Sequence, residues 1–206
     1  MNLCSTSFEP WAVLDSRLAF ARHHPVDHVE MCPNRNPQLA WSNVPDGTKS
    51  FALLCYDDDV PTVGDDVNQE GRSVDRWLER ARFYHWALAD LGRDLREIAE
   101  GSHSDGITPG GKGADAGPDG GVAGINDYTS WFAGDEAMKG DYHGYDGPCP
   151  PWNDERTHAY IFALLALDVA SLGLQPGFTG GELEAAAQGH VLARAELGGL
   201  YRINPA

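Results

Sequence analysis

Four side chains that can do acid–base or ionic chemistry stand at the edges of apolar runs. Asp57 and Asp59 close the run Phe51–Tyr56, His85 lies inside Phe83–Leu88, and His158 opens the run that ends at Leu167. A carboxylate beside an imidazole favours the imidazolium and raises its pKa toward physiological pH. An imidazolium donates to phosphate oxygens, and an aspartate accepts from an ammonium or a hydroxyl. The same four groups also make a candidate divalent-metal set for phosphoester hydrolysis. Against that set, the chain has no HxH, HExxH or CxxC spacing. A Cys149–His nucleophilic dyad has no evident orienting partner, because Cys149 sits between Pro148 and Pro150. Taken singly, an acidic run at a strand end is a solvated turn and a histidine beside Trp86 is a packed strand residue. The group carries more than its members only if the elements bring it together.

The stretch GYDGPCPPWNDERTHAY, Gly144 to Tyr160, is built to hold a wall still. Pro148, Pro150 and Pro151 fix φ and reduce the conformational freedom of the segment. Gly147 permits close backbone approach to a ligand. The expectation is a stiff loop forming one side of a preformed pocket, with His158 as its polar floor.

The elements that must position these residues read as strands joined by turn-rich links. Phe51–Tyr56 is a continuous apolar run, as in a strand buried on both faces. Phe83–Leu88 and His158–Leu167 are the second and third clear strands, and His190–Arg202 alternates as a last one. Asn43–Gly47 is turn chemistry. Thr179 and Glu182 match a capping box, which predicts a helix over Gly180–Gln188 ending near Gly189. Arg76–Arg82 is assigned a short helix. Residues 62–82 are otherwise polar, and 101–124 hold nine glycines in a long loop. There are no internal repeats. The fold class is a mainly β, antiparallel domain with peripheral helices, one of them near the C-terminus.

The chain has 206 residues, enough for one domain with a substantial core. It carries 31 acidic against 15 basic residues, a net charge of −16. Such a chain repels nucleic-acid backbones and anionic membranes, and it has no basic cluster to offset that. No apolar run has the length of a membrane span and no signal peptide is evident, so the expected setting is cytoplasmic with its four cysteines reduced.

In chain order, YDDDVP, FYHWAL and GYDGPCPPWNDERTHAYIF resemble the three boxes of the phosphatidylethanolamine-binding protein family. The similarity is to its bacterial YbhB/YbcL branch, often labelled Raf-kinase-inhibitor-like, and runs from about Asn36 to Tyr201. LLCYDDDVPT also resembles the DxD opening of haloacid-dehalogenase phosphatases. Pro61 breaks that pattern, and the helix-poor middle lacks its βα alternation. In the family resemblance, Asp57 and Asp59 fall on the first box and His85 on the second. Gly147, Cys149 and Pro151 fall on the loop wall, and His158 and Tyr160 on the third box. Asp58 departs from the usual proline and Ala159 from the usual arginine; the stretches at about 62–82 and 101–124 are long insertions in connections.

The resemblance implies a single domain over residues 1–206 with a two-sheet antiparallel fold and a small anion cavity. It implies a non-catalytic binder, without cofactor, of a small phosphorylated or anionic ligand such as phosphoethanolamine. Modulation of a protein partner and a homodimer are further implications. The rival readings are the metal-assisted hydrolase and a kinase- or protease-inhibitor module presenting the two insertions.

Overall fold

The computed structural model describes residues 1–115 and 120–205. The strands in chain order are β1 (Asn2–Cys4), β2 (Ala21–His24), β3 (His28–Met31), β4 (Leu39–Ser42), β5 (Ser50–Pro61), β6 (Arg80–Gly92), β7 (Glu97–Ile98), β8 (Val122–Ala123), β9 (His158–Leu167) and β10 (Val191–Tyr201). Two short helices accompany them, α1 (Tyr128–Trp131) and α2 (Gly180–Ala187). The central sheet has the order β10-β9-β5-β6-β8, and a smaller one has the order β1-β4-β7. β2 and β3 form a separate hairpin. Every pairing between these strands is antiparallel. This is the mainly β, antiparallel architecture expected.

The continuous apolar run of β5 has a physical reason. One face, with Phe51, Leu53 and Cys55, packs with Trp41, Leu39 and Ile98 of the small sheet and with the N-terminal segment. The other, with Ala52 and Leu54, meets Ala87, Ala163, Phe178 and α2's Leu183. A strand covered on both sides has no polar face to alternate with. The alanines under α2 let the helix lie close to the sheet. Thr179 accepts from the Glu182 amide while the Glu182 carboxylate accepts from the Thr179 amide, which is the capping box the sequence predicts.

Two elements differ from expectation. The acidic run does not end β5, which continues through Asp57–Asp59 to Pro61. Arg76–Arg82 is not a helix: a turn leads into β6 at Arg80. That segment has no apolar stripe to bury, so a short helix there gains nothing from packing. Pairing Val60 with Ala81 and Pro61 with Arg80 gives the backbone a ladder instead. The chain segment from about 101 is not loose throughout. Asn36 accepts the amides of His103 and Ser104 on its side-chain oxygen, and both residues are buried. Residues 116–119 of that predicted loop lie outside the described residues.

Candidate functional site

The site grows out of one end of the central sheet. On β9, residues 158, 160 and 162 share a face by strand alternation, which sets His158 and Tyr160 in line with the core residue Phe162. β5 pairs Asp57 with Tyr160, so Asp57 continues the face of Leu53 and Cys55. Alternation alone would turn His85 to the side opposite Trp86. A bulge prevents this: Cys55 pairs with Trp86 but Tyr56 with Tyr84, leaving His85 as the extra residue of β6. A second bulge sets Asp58 and Asp59 against Arg82 alone, between the pairs Asp57–Phe83 and Val60–Ala81. Bulges re-aim side chains at sheet ends. Here they bring two strands' polar groups onto one face.

Asp57, His85, His158 and Tyr160 thereby converge on a cavity of about 350 Å³. Cys149, Pro150, Pro151 and Trp152 form its loop wall, as the prolines suggest. Apolar side chains make up most of the rest, among them Phe20, Met31, Phe132 and Trp131. Val67 and Asn68 extend the wall into the segment between β5 and β6.

His158 is fully buried between two carboxylates. Its Nδ1 lies 2.6 Å from Asp57 Oδ2 and its Nε2 3.1 Å from Asp154 Oδ2. Both acceptors are carboxylates, so a doubly protonated ring satisfies both contacts. Burial opposes that charge, but the hydrogen bonds to Asp154 and Asp57 and their charges outweigh it and raise the pKa to about 9. Asp154 is in turn gripped by Arg80 in a two-pronged pair whose side chains are 5% and 1% exposed. Burial pushes the Asp154 carboxyl up, yet His158 and Arg80 bring it down to about 2. Asp57's other oxygen takes the Asp59 amide.

His85 behaves in the opposite way. Its Nδ1 lies 2.7 Å from the Asp146 carbonyl oxygen, which can only accept, so Nδ1 carries the proton. Burial dominates and brings its pKa to about 4, against the pull of Asp57. The expectation that the carboxylates would bring the histidines toward physiological pH thus overshoots for His158 and reverses for His85. The difference is contact: His158 touches two carboxylates, and His85 touches a carbonyl.

The loop wall is held from behind. Asp146 is buried and accepts from Lys112 Nζ at 2.6 Å, Asn34 Nδ2 at 2.7 Å and Asn126 Nδ2 at 2.9 Å. Pro148's carbonyl accepts from the Phe20 and Ala21 amides. Gly147 is tied into this support. A Cβ there would collide with the Leu18 carbonyl oxygen, its amide donates to Asn34 and its carbonyl accepts from Tyr128.

Of the sequence-predicted residues, Asp57, His85, Cys149, Pro151, His158 and Tyr160 line the cavity, while Asp59 and Gly147 stand behind it. Asp59 faces Arg156 at 2.8 Å and accepts the Ala159 amide. Arg156 therefore supplies a guanidinium two residues before His158, in the chain that has Ala159 just after it. Sequence reasoning missed Arg80, Asp154, Asp146 and Tyr128. Asp154 carried a signal, since it stands four residues before His158; Arg80 carried none. Among the described residues, no group of three His, Cys, Asp or Glu side chains is arranged to hold a metal ion. No helix among them is long and apolar enough to cross a membrane.

The family model described as phosphatidylethanolamine-binding protein matches residues 5–202. A UPF0098 protein of Aquifex aeolicus is 31% identical over 186 residues, covering 89% of this chain and 85% of the relative. The UPF0098 protein YbhB of Escherichia coli is 30% identical over 168 residues, covering 82% of each. The crystal structure of E. coli YbcL, described as a new member of the mammalian PEBP family, superposes with a TM-score of 0.70 at 23% identity, covering 98% of both chains. A phosphatidylethanolamine-binding protein homologue from Chlamydia trachomatis superposes with a TM-score of 0.65 at 25% identity, covering 98% of this chain and 96% of its own.

Proposed function

Since the chain belongs to the phosphatidylethanolamine-binding protein family, we propose that it binds a small phosphate-bearing headgroup, of the phosphoethanolamine kind, in the cavity at the end of the central sheet. The observation that carries this reading is the convergence of Asp57, His85, His158 and Tyr160 on the floor of one preformed, mostly apolar cavity. A neutral donor is on hand for the phosphate oxygens. Prolines leave Cys149 the only amide between Gly147 and Trp152. Those two donate to Asn34 and Asn68, whereas the Cys149 amide has no acceptor among the described residues. The Tyr160 hydroxyl, hydrogen-bonded to Asp57, reaches a ligand only by giving up that acceptor.

The same groups support binding without catalysis. A general base works best with a pKa near the operating pH. His85, at about 4, is too weak a base at neutral pH, and both nitrogens of His158 are held by carboxylates. Burial pushes the Cys149 thiol up to about 12, which leaves little thiolate to act as a nucleophile.

The test is a titration of phosphoethanolamine, and separately of inorganic phosphate, at about pH 6, near the second ionisation of a phosphomonoester. Histidine ring signals are followed by NMR, with His85→Ala as control. Saturable shifts of both His85 and His158 in the wild type, absent from the variant, are the expected result. No shift at millimolar ligand would remove the reading.

A further inference from the structure

We infer that the open edge of β10 is a docking surface for a second copy of this chain, which adds its own β10 antiparallel in the register that sets Arg194 against the partner's Glu196. The central sheet then continues from one copy into the other through a two-fold axis at Ala195. None of residues 193–197 lines the cavity at the end of the sheet, so the inference stands apart from the binding function proposed above.

β10 is an outermost strand of the central sheet, paired on one side with β9. Its other side is covered only in part. Trp11 donates its amide to the Gly198 carbonyl, Leu200 donates to the Ala12 carbonyl, and Leu14 donates to the Leu200 carbonyl. Even-numbered residues of β10 therefore turn their amides and carbonyls away from β9. From Ala193 to Tyr201 the register with β9 is unbroken, so Arg194 and Glu196 do the same. Their outward amides and carbonyls have no partner among the described residues. A bulge at Val191–Ala193 ends the regular edge on one side, and the Trp11 ring, packed against Gly198, ends it on the other. Between them no proline or bulge blunts the edge, and such an edge is a template for another strand.

The charges select both the occupant and the register. A two-fold axis centred on Arg194 sets that residue against its own copy, and one centred on Glu196 does the same for the carboxylate. Like charges directly opposite each other are destabilising. Centring further along runs the pairing into the bulge or into the end that Trp11 covers. Centring on Ala195 sets Arg194 against the partner's Glu196 and Glu196 against the partner's Arg194, and each pair exchanges amide and carbonyl hydrogen bonds. The side chains are already held for this. Arg194 and Glu196 meet at 2.7 Å within one chain, and the Tyr56 hydroxyl bonds to both. Ala195, at the axis, is buried against the core and adds no bulk between the strands.

Exposed apolar side chains mark both ends of the open edge, Val191 and Leu192 at one and Trp11 and Val13 at the other. The two-fold operation brings the first end of each copy beside the second end of its partner, so one contact covers both sets. The net charge of −16 on each copy opposes association at long range, and salt screens it.

The test is sedimentation velocity of the intact protein from micromolar to millimolar concentration, at a salt concentration of about 0.15 M, where exposed charges more than about 8 Å apart are screened. The wild type is expected to pass from monomer to dimer within that range. Arg194→Glu sets a carboxylate against the partner's Glu196, and Glu196→Arg sets a guanidinium against the partner's Arg194. Each variant alone should dimerise at least about tenfold more weakly than the wild type. An equimolar mixture of the two variants restores opposite charges at each facing position and should associate about as tightly as the wild type. A wild type that stays monomeric throughout overturns the inference. Variants that dimerise as tightly as the wild type overturn it too, because the contact then lies elsewhere. A mixture no tighter than its separate components removes the register. The wild-type series carries the test whether or not either variant folds.

Discussion

Asp154 serves two cations at once, and removing its charge separates what each contributes. In Asp154→Asn, the amide keeps the shape but loses the charge that holds His158 protonated and Arg80 in place. Breaking a buried ion pair by removing one partner costs roughly 3–5 kcal/mol, because the other charge stays buried. His158 should lose part of its elevation from about 9, with Asp57 alone left to hold it. Denaturant unfolding reads the first effect and an NMR pH titration of the ring reads the second. An unchanged His158 pKa would show that Asp57 is sufficient. Asp57 and His158 were visible in the sequence because an ionisable residue at the edge of an apolar run stands out. Arg80 was not, because its partner lies 74 residues away and only the fold brings the two together.

At the scale of elements, the two bulges and the segment between β5 and β6 matter most. That segment is not an appendage. Asn153, buried in the third box, accepts the Asn68 amide and donates to the carbonyls of Asp66 and Arg72. Val74 bridges to Asp154, and His28 of β3 stacks on Trp152 at 3.8 Å while reaching Glu70 at 2.7 Å. Asn153→Ala should therefore free residues 62–79 while leaving the central sheet intact. Net losses near 1 kcal/mol per hydrogen bond make local opening at least about tenfold more frequent. Limited proteolysis should then cut in this segment at least about tenfold faster than in the wild type. An equal cleavage rate would mean that Trp152 and β3 hold the segment without Asn153. The three main strands, α2 and its cap were legible, since each is written in local periodicity. Neither bulge was, because a bulge is a relation between two strands and leaves no pattern in one.

For the whole molecule, the two histidines set opposite limits on stability. His85 has a folded pKa of about 4, below its unfolded value near 6.5. Its contribution is present above about 6.5 and is lost as pH falls through about 4. His158 has a folded pKa of about 9, above its unfolded value. Its contribution is full below about 6.5 and is lost as pH rises through about 9. Stability should thus peak near pH 6.5 and decline on both sides, each decline being on the order of 3 kcal/mol. Urea denaturation from about pH 4.5 to 9 checks it, and a flat profile would refute both assignments. The net charge of −16 adds self-repulsion that salt screens, so the measurement belongs at constant ionic strength.

The amino-acid sequence by itself determined the strand-rich antiparallel class, the capped helix, the stiff loop and the cavity-lining Asp57, His85, Cys149, Pro151, His158 and Tyr160. These follow from periodicity, turn chemistry and motif order, which are local properties of a chain. Only the tertiary structure decided the protonation of the site. Whether a histidine is held charged or neutral depends on which groups touch it and how much water is excluded. Both are set by pairings between distant strands and by single-residue bulges. The same pairings placed Asp59 and Gly147 behind the wall, where they hold backbone and guanidinium in place, and brought Arg80 and Asp154 up beneath His158.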